Sequence, residues 1–522
     1  MRIAALLIAL CLSPAIFSLG DEVMEVDPAQ YADVAARVAR TGEWLRLEDM
    51  NGPFVNKPPL MIWTQAATMT VLGATSVAAR LPALLFAVLA ALGTFLLGRR
   101  LGGERQGLVA AALLGGSVAV HHMVADPKVD LALTAMTTLA IAAFLSGRVV
   151  TGWALSALAV LAKGPVGLGI VALALLPERL GRLPALPLDM GRHVIGALLL
   201  MALVAPFYVS LGGEHASYLL WTQAFGRILG TSDFKDTTTP LYFVHTGLWA
   251  LLPMAPLLVA SLWRGARRVR RERTLPSDVR RVPAWWFGLT FLVISASHYK
   301  LPQYVYWLAP PAALLAAEEL LSLADAALAR WRRAYTALAI AAAALGAVVL
   351  ALAFPPTAAT GLLLGLALLA PVSVAWLSRG RDAWVRTAVT AAASCAGFLV
   401  LYHAWLHPSL LEYQPWREVG AELRRLESDH ALLVDVPPTF SLDFYAQRRL
   451  QPAGRAELEA EHPSRFVVSD AALAALQADG LPVASVLKLP VYRVSIPRGR
   501  FLRAATRDAQ LSWVHVATWT AR

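Results

Sequence analysis

Residues Leu81–Leu97 read LPALLFAVLAALGTFLL and contain no charged side chain. Runs of this kind favour membrane spans, because a helix satisfies its own backbone hydrogen bonds in hydrocarbon. Charged residues make up only 16% of the 522-residue chain, whereas soluble domains contain about 25%. Similar apolar runs recur at Leu131–Leu145, Val194–Leu211, Leu241–Leu262, Tyr335–Phe354, Gly361–Leu377 and Thr387–Tyr402. The sequence therefore predicts an all-α polytopic membrane protein.

The apolar runs predict about thirteen transmembrane helices. After a first span within residues 1–20, they lie near 81–97, 107–121, 130–146, 150–177 (two short spans), 194–211, 241–262, 284–297, 302–320, 335–354, 359–377 and 385–404. Residues 1–20 also have features of a cleaved signal peptide. An uncleaved span is favoured, because the bundle that follows needs a partner helix. In both cases Asp21 lies outside the cytoplasm.

Arginines concentrate in alternate connectors, above all in Arg264–Arg281. The positive-inside rule places such connectors in the cytoplasm. The net charge of +11 is therefore explained by topology, and no nucleic-acid partner is expected. With thirteen spans, the N-terminus lies in the cytoplasm and the C-terminus outside it.

The composition changes after His407, which predicts two domains. Residues 1–407 form a transmembrane domain whose external loop, 21–80, contains amphipathic helices. Residues 408–522 form a small extracytoplasmic α/β domain. Its predicted strands are Ala431–Val436, Arg465–Val468, Val491–Ile496 and Ser512–Thr518, and its predicted helices are Trp416–Ser428 and Ala471–Gln477.

Ionisable residues collect on the predicted external face, where such groups are functional candidates by default. Lysines and arginines at the lipid–water boundary can hold a phosphate whose lipid tail stays in the bilayer. A carboxylate beside them can accept a proton from an attacking hydroxyl. The alternative is that these residues are solvated or snorkelling loop charges. Against it, Lys57, Lys163 and Lys300 each adjoin an apolar run, where an unpaired cation is costly.

Six short motifs occur in a recognisable order. They are DPAQYADVA (Asp27–Ala35), TGEW (Thr41–Trp44), KPPL (Lys57–Leu60), DPKVD (Asp126–Asp130), AKGP (Ala162–Pro165) and YKLPQY (Tyr299–Tyr304). Together they resemble bacterial lipid-linked-sugar glycosyltransferases, the relatives of protein O-mannosyltransferases and aminoarabinose transferases, which have the glycosyltransferase C fold. The resemblance extends from about residue 20 to about residue 320.

The resemblance implies an inverting transfer of a sugar from a polyprenyl-phosphate donor to an acceptor hydroxyl. By position, Asp27 matches the catalytic carboxylate and Asp126 an acidic residue near the acceptor. Lys57, Arg227, Lys300 and Tyr304 match residues that bind the donor phosphate. The further pocket candidates are Tyr31, Lys128, Asp130 and Lys163.

The sequence departs from the family pattern at two positions, and the second of them bears on a metal cofactor. Gln30 stands where many relatives have an arginine, and Asn56 where many have an acidic residue before Lys57. The aminoarabinose branch holds a metal with that acid and a later histidine. Without the acid, no metal site and no required cofactor are predicted, although a divalent metal is left open. The departures also put an aminoarabinose assignment in doubt.

Some candidates have competing interpretations. Asp21, Glu22, Glu25 and Asp33 are rivals of Asp27 as the catalytic carboxylate. Because Pro28 favours the first turn of a helix, Asp27 is also a candidate helix N-cap. His121 and His122 are candidate metal ligands, but an interfacial polar rim is the favoured interpretation.

The predicted function is that of a glycosyltransferase in the bacterial inner membrane. Its expected partners are a polyprenyl-phosphate sugar, a lipid, glycan or protein acceptor, and membrane lipids. One alternative is a lipid-linked glycan flippase or transporter, although paired inverted halves are not evident. Another is a glycan ligase or polymerase that uses the same carrier. The sequence names neither the sugar nor the acceptor.

Overall fold

The computed structural model describes residues 1–180, 189–231, 239, 241–272, 281–425 and 432–520. Residues 273–280 of the arginine-rich connector lie outside the described residues. So do Ala431 of one predicted strand and residues 426–428 of one predicted helix.

Helices occupy all the predicted apolar runs. They are Arg2–Leu12 with the 3₁₀ turn Ser13–Ser18, then Ser76–Gly102, Glu104–Gly115, Val118–Ala125, Val129–Leu145, Val149–Lys163, Val166–Leu180, Met190–Ser210, Tyr242–Ala250, Ala255–Glu272, Arg281–Ala296, Pro302–Leu308 (3₁₀), Ala309–Leu321, Asp325–Ala353, Ala358–Leu377, Ala383–Ala393, Ala396–Leu401, Tyr402–Leu406 (π) and His407–Leu411. Short helices Gly213–Ser217, Tyr218–Gly226 (π) and Arg227–Leu229 lie between Met190–Ser210 and Tyr242–Ala250. The prediction of a mainly helical membrane protein is confirmed.

Only some of these helices are long and apolar enough to cross a bilayer alone. Among the described residues there are four, Ser76–Gly102, Met190–Leu211, Asp325–Ala353 and Ala383–Leu411. The bent pair Glu104–Gly115 and Val118–Ala125 makes a fifth if it counts as one span. The others are shorter, and the count of thirteen stays a prediction.

The predicted external loop, residues 21–80, packs against these helices through its helix Leu60–Leu72. It contains helices Asp27–Thr41 and Leu60–Leu72 and a two-stranded antiparallel sheet, Glu48–Asp49 with Gly52–Pro53. Helix Asp27–Thr41 is amphipathic, as predicted, and buries Ala29, Tyr31 and other residues of one face. Its C-terminus is at Gly42, whose φ of 73° is left-handed, a conformation that glycine adopts without strain.

The C-terminal segment contains a five-stranded mixed sheet. In spatial order its strands are Gln451–Pro452, Leu432–Val434, Phe466–Ser469, Ser512–Trp519 and Val483–Val491. The helices of this segment are Trp416–Arg424, Phe440–Ala446, Arg455–Glu461, Asp470–Ala478, Gly499–Leu502, Ala504–Arg507 and Asp508–Gln510 (3₁₀).

One strand prediction is wrong. The strand lies at Val483–Val491 and not at Val491–Ile496, because it pairs antiparallel with Ser512–Trp519. In this register Val491 lies opposite Ser512. Residues after Val491 therefore have no partner strand to continue the ladder.

The C-terminal segment holds the external loop in place. The backbone N–H of Val23 donates to the Tyr445 hydroxyl at 2.8 Å, and Arg449 donates to the backbone carbonyl of Asp49. Helix Asp27–Thr41 packs against helix Phe440–Ala446. The loop that contains Asp27 is thus held by residues 400 or more positions later in the chain.

Arg80 joins the external loop to the next one. Its guanidinium is fully buried and donates to the backbone carbonyls of Asp21, Glu22 (2.5 Å) and Ala125 (3.0 Å). A guanidinium has five N–H donors in a fixed plane, so one side chain can serve three carbonyls from two segments.

We expect Arg80→Lys to lower the free energy of unfolding by about 3 kcal/mol or more. An ammonium cannot reach all three carbonyls, and hydrogen bonds to charged groups contribute about 1.5–3 kcal/mol each. Thermal unfolding of the purified protein in detergent measures the change. Arg46→Lys is the matched control, since Arg46 is 75% exposed in its ion pair with Glu48 and exposed pairs contribute about 1 kcal/mol at most. Equal unfolding temperatures for the two variants would contradict the role of Arg80.

Candidate active site

Two loops contribute carboxylates to one lysine. Lys128 Nζ lies 3.2 Å from Asp126 Oδ2 and 3.7 Å from Asp27 Oδ2. Asp27 is the first residue of helix Asp27–Thr41, whereas Lys128 precedes helix Val129–Leu145. The pKa of the Asp126 carboxyl is lowered, because Lys128 and His122 outweigh the opposing effect of burial. The ammonium of Lys128 thus links the two predicted catalytic carboxylates.

A second lysine is held at the break between two short helices. Lys163 ends helix Val149–Lys163 and forms an ion pair with Asp130. Its Nζ lies 4.6 Å from the ring centroid of Tyr304 and 4.8 Å from that of Trp307. The Trp307 indole N–H donates to the same Asp130 oxygen, Oδ1, at 2.8 Å. Lys163 is therefore stabilised by a carboxylate and by two aromatic faces.

Arg227 and the segment Ser297–Tyr304 form a third part of the site. The backbone carbonyl of Arg227 accepts hydrogen bonds from Ser297 Oγ at 3.1 Å and from the Tyr299 N–H at 3.2 Å. Its guanidinium lies 5.0 Å from the centroid of the Tyr299 ring. Tyr304 and Trp307 stack with their centroids 4.7 Å apart. The short helix Arg227–Leu229 is thus tied to the turn after helix Arg281–Ala296.

The second and third parts border a cavity of about 580 Å³, whereas Asp27, Asp126 and Lys128 do not line it. Its charged lining residues are Lys57, Lys163 and Arg227, with Asn56, Tyr304 and Trp307 beside them. Its apolar walls come from helix Val166–Leu180, from residues 219–228 and from the end of helix Arg281–Ala296. Three cations from distant segments therefore meet beside an apolar cleft.

Lys300, a predicted phosphate ligand, does not line the cavity. Its Nζ donates to the backbone carbonyl of Ser297 at 2.6 Å. Ser297 directly follows helix Arg281–Ala296, and lysine side chains commonly bind the last carbonyls of a helix. The described position of Lys300 fits a helix-terminating role.

Lys57 has an unusual charge environment. Burial, Arg227 and Lys163 lower the pKa of the Lys57 ammonium to about 7, although Asp27 and Asp130 act in the opposite direction. Its Nζ donates to the backbone carbonyl of Asn56 at 2.9 Å. An anion in the cavity would therefore favour the protonated form of Lys57.

Tyr31 is a buried residue of the site on which several charged groups act. Its ring is only 2% exposed and packs edge-on against Phe54 at 6.3 Å. Burial raises the pKa of its hydroxyl, and so do the nearby carboxylates Asp27, Asp130 and Asp126. The charges of these three carboxylates thus all act on one buried hydroxyl.

The rival carboxylates of the external loop bind the C-terminal segment. Asp21 pairs with His407 at 2.6 Å, and Glu25 accepts from the N–H of Ser441 at 2.5 Å and from its hydroxyl at 2.7 Å. Glu22 accepts from Gln414 at 3.3 Å and from the N–H of Arg417 at 3.2 Å. These three carboxylates have partners at residues 407–441.

Asp33 and Asp27 also differ in their surroundings. Burial and the neighbouring Asp443 raise the pKa of the Asp33 carboxyl to about 7, and the helix of Asp33 packs against helix Phe440–Ala446, which contains Asp443. Asp27 faces Lys128 instead. The interpretation of Asp27 as a helix N-cap is wrong, because Val26 occupies that position and Asp27 is the first helical residue.

His121 differs from the predicted interfacial rim. His121 is fully buried and contacts His403 Nε2 at 3.0 Å and the carbonyl of Cys11 at 3.0 Å. His122 contacts the Tyr402 hydroxyl at 2.8 Å. Within the described ranges, no group of three or more His, Cys, Asp or Glu side chains is placed to hold a metal ion. The rim interpretation is wrong for His121, which joins helices inside the bundle.

Sequence reasoning missed Trp307 and the apolar walls. Trp307 follows Tyr304 by three residues in the 3₁₀ helix Pro302–Leu308. Side chains three apart in such a helix point in the same direction. That spacing is the signal that could have identified Trp307, whereas the cavity walls depend on the packing of distant helices.

One family model and several known proteins are similar to this chain in sequence. The model of the family described as dolichyl-phosphate-mannose-protein mannosyltransferase matches residues 56–209. An undecaprenyl phosphate-alpha-4-amino-4-deoxy-L-arabinose arabinosyl transferase of Sodalis glossinidius is 26% identical over 57% of this chain and 55% of its own length. The corresponding protein of Proteus mirabilis is 24% identical over 61% of this chain and 59% of its own length. The chain thus matches less than two thirds of these relatives.

A solved structure matches nearly the whole chain. The crystal structure of ArnT from Cupriavidus metallidurans bound to undecaprenyl phosphate superposes with a TM-score of 0.76 at 19% identity. The match covers 98% of this chain and 97% of that protein. At this identity the likeness shows the fold. The motifs and the family match make this chain similar to lipid-linked-sugar glycosyltransferases, namely protein mannosyltransferases and aminoarabinose transferases, and the structural match shows that it shares the fold of ArnT.

Proposed function

We propose that this chain transfers a sugar from a polyprenyl-phosphate donor to an acceptor hydroxyl, with inversion at the anomeric carbon. The observation that carries the proposal is the cavity, where Lys57, Lys163 and Arg227 meet beside apolar walls. A polyprenyl phosphate matches both parts of this cavity, because its phosphate is an anion and its prenyl tail is apolar.

The cationic end of the cavity would bind the donor phosphate. Lysine and arginine make charge-assisted hydrogen bonds to phosphate oxygens, and the Tyr304 hydroxyl can donate a further one. The apolar walls would hold the first isoprene units. Helix Val166–Leu180 begins beside Lys163 and lines the cavity as far as Leu176. At 1.5 Å per residue, this wall is about 15 Å long.

Asp27 would act as the general base. As the acceptor oxygen attacks the anomeric carbon, a new C–O bond forms and the bond from this carbon to the phosphate oxygen breaks. The hydroxyl proton passes to the Asp27 carboxylate, and polyprenyl phosphate leaves with the bonding electron pair. The ammonium of Lys128 lies within 4 Å of both Asp27 and Asp126, and it favours the charged form of Asp126. Asp126 would face the acceptor.

The names of the relatives support a lipid-linked donor. The curated matches are named as transferases that act on an undecaprenyl phosphate sugar, and the ArnT structure contains undecaprenyl phosphate. The sugar and acceptor of this chain do not follow from those names.

We also propose the arrangement in the membrane. The chain would be a bacterial inner-membrane protein with about thirteen spans and a cytoplasmic N-terminus. The transmembrane domain 1–407 would carry the site at its extracytoplasmic face, together with the extracytoplasmic domain 408–522. In support, the C-terminal half of helix Ala255–Glu272 contains Arg264, Arg267, Arg268, Arg270 and Arg271, and the positive-inside rule predicts that such a segment lies in the cytoplasm.

Single cysteines test this topology in a chain whose Cys11 and Cys395 are replaced by serine. Ala266 and Ala478 are both exposed. We expect Ala478→Cys to react with an impermeant thiol reagent in intact spheroplasts, and Ala266→Cys only after permeabilisation. Reaction of both from the same side would contradict the proposed orientation.

Lys57→Ala should weaken donor binding by about 1.5–3 kcal/mol, the contribution of one charge-assisted contact. A prenyl phosphodiester of a neutral sugar is a suitable probe, because its phosphate keeps one charge near neutral pH. Parental affinity should be highest below pH 7 and fall at higher pH, since a phosphate-bound Lys57 must first take up a proton. Calorimetry in detergent between pH 6 and pH 9 measures both effects.

Two variants control this experiment. Lys57→Ala should lose most of the pH dependence, because the titrating group is gone. Lys300→Ala should bind nearly as the parent does, because Lys300 donates to the Ser297 carbonyl and lies outside the cavity lining. Parental affinity in Lys57→Ala, or a large loss in Lys300→Ala, would place the phosphate elsewhere.

Asp27→Asn should lower turnover by about 10²–10⁴-fold, the usual contribution of a general base. The amide keeps the size of the side chain but cannot accept the proton, so folding and donor affinity should stay near parental. Transfer is measured in detergent, where no sealed membrane exists. Turnover there also separates an enzyme from a flippase.

Asp33→Asn is the matched control for Asp27→Asn. Asp33 lies on the same helix but faces Asp443 and not the lysines of the cavity. We expect a much smaller loss of turnover. Near-parental turnover in Asp27→Asn would end its assignment as the base, and a large loss in Asp33→Asn alone would move the assignment to Asp33.

A further inference from the structure

A basic segment, residues 491–511, lies near the C-terminus and contains five arginines but only one acidic residue, Asp508. Four of these arginines are exposed, namely Arg493, Arg498, Arg500 and Arg503. No ion pair among the described residues involves any of these four side chains. The basic segment therefore presents a positively charged surface to its surroundings.

The fifth arginine of the basic segment binds the end of a long apolar helix. Arg507 is buried, donates to the backbone carbonyl of Ala353, and lies with its guanidinium 4.5 Å from the centroid of the Phe354 ring. Phe501 of the basic segment is buried in one cluster with Ala353 and Phe354. Ala353 is the last residue of helix Asp325–Ala353, which is long and apolar enough to cross a bilayer. The basic segment is thus held at the end of a candidate membrane span.

The same helix has an exposed apolar face that extends to its last turn. The face consists of Leu345, Val348, Val349 and Leu352, which follow helical spacing and are each more than half exposed. In a helix that spans the bilayer, such a face contacts lipid tails. Leu352 directly precedes Ala353, to which Arg507 binds. The basic segment therefore lies at the level where hydrocarbon gives way to headgroups.

The proposed topology does not account for these arginines. The positive-inside rule applies to short loops on the cytoplasmic side, whereas long translocated segments do not follow it. A guanidinium binds phosphate oxygens through two parallel N–H donors, and phospholipid phosphates are the anions at this level of a membrane. Ile496, between Arg493 and Arg498, is 61% exposed. An exposed apolar side chain among basic ones is typical of segments that lie in the bilayer interface.

We propose that the basic segment binds anionic phospholipid headgroups in the extracytoplasmic leaflet of the membrane that contains the chain. The proposal is independent of sugar transfer, but it rests on the proposed extracytoplasmic position of residues 408–522. The contact would anchor the C-terminal segment to the bilayer. Because Tyr445 and Arg449 of that segment bind the loop of Asp27, the anchor would also support the candidate site.

A single fluorescent probe tests the proposal in the full-length protein. Ile496→Cys is labelled with a nitrobenzoxadiazole group in the chain whose Cys11 and Cys395 are replaced by serine. The protein is placed in nanodiscs of phosphatidylcholine, with or without about 30% phosphatidylglycerol as the anionic lipid. Both kinds of nanodisc contain a lipid with a spin-label quencher near its headgroup.

We expect quenching to be about twofold or more stronger with phosphatidylglycerol, because the anionic surface attracts the arginines. About 1 M salt should remove most of this difference, since the Debye length falls to about 3 Å. Fluorescence intensity in matched nanodiscs with and without the quencher measures both effects.

Two charge-matched variants locate the contact. The test variant replaces the four exposed arginines of the basic segment by glutamine, and it should lose the difference between the two lipids. The control variant replaces four exposed cations elsewhere in the C-terminal segment by glutamine, namely Arg424, Arg425, Arg455 and Lys488. It should keep the difference. Because all eight side chains are exposed, both variants should unfold in detergent near the parental temperature.

The outcomes distinguish this proposal from the proposed function. Equal quenching of the parent in the two lipids would overturn the lipid contact, and so would a lipid difference that survives in the test variant. Loss of the difference in the control variant would overturn the assignment to the basic segment, because it would show an effect of net charge alone. Donor binding and turnover measure the proposed function separately, and none of these fluorescence results would alter them.

Discussion

The guanidinium of Arg80 is the contact on which the arrangement of the candidate site depends. It is fully buried and binds backbone carbonyls at the start of the external loop and at Ala125, just before Asp126. A buried cation is stable only when its donors are satisfied. Arg80 therefore requires the two loops to stay close together. Their proximity places Asp27 from one loop within reach of Lys128 from the other.

The C-terminal segment adds a second constraint on the same loop. Asp21, Glu22 and Glu25 bind side chains or backbone groups at residues 407–441. Tyr445 accepts from the Val23 N–H and also contacts Ser76, at the start of the first long helix after the loop. These contacts explain why acidic residues are dense at the start of the loop although only one of them faces the lysines of the site. These contacts hold the backbone of the loop in place, and the backbone in turn positions the Asp27 side chain.

The site itself is a set of charges that compensate one another. Lys128 and Lys163 each have carboxylate partners, and Lys163 also lies on two aromatic rings. Lys57 is the exception, because burial and its cationic neighbours lower its pKa to about 7. A cation held in this way has no strong partner of its own in the described site, and an incoming phosphate would provide one.

The sequence alone determined the membrane character of the chain, the positions of its helices and the kinds of residue at the site. These features are local, because hydrophobicity over about 18 residues and a lysine beside Gly164-Pro165 need no knowledge of distant segments. Tertiary structure decided which members of the set act together. In the folded protein Asp27 lies near Lys128, whereas the other acidic residues of its loop do not. Lys300 does not line the cavity, but Trp307 does. His121 is buried inside the bundle. Charges pair according to the distance between side chains, and that distance is set by the packing of segments hundreds of residues apart.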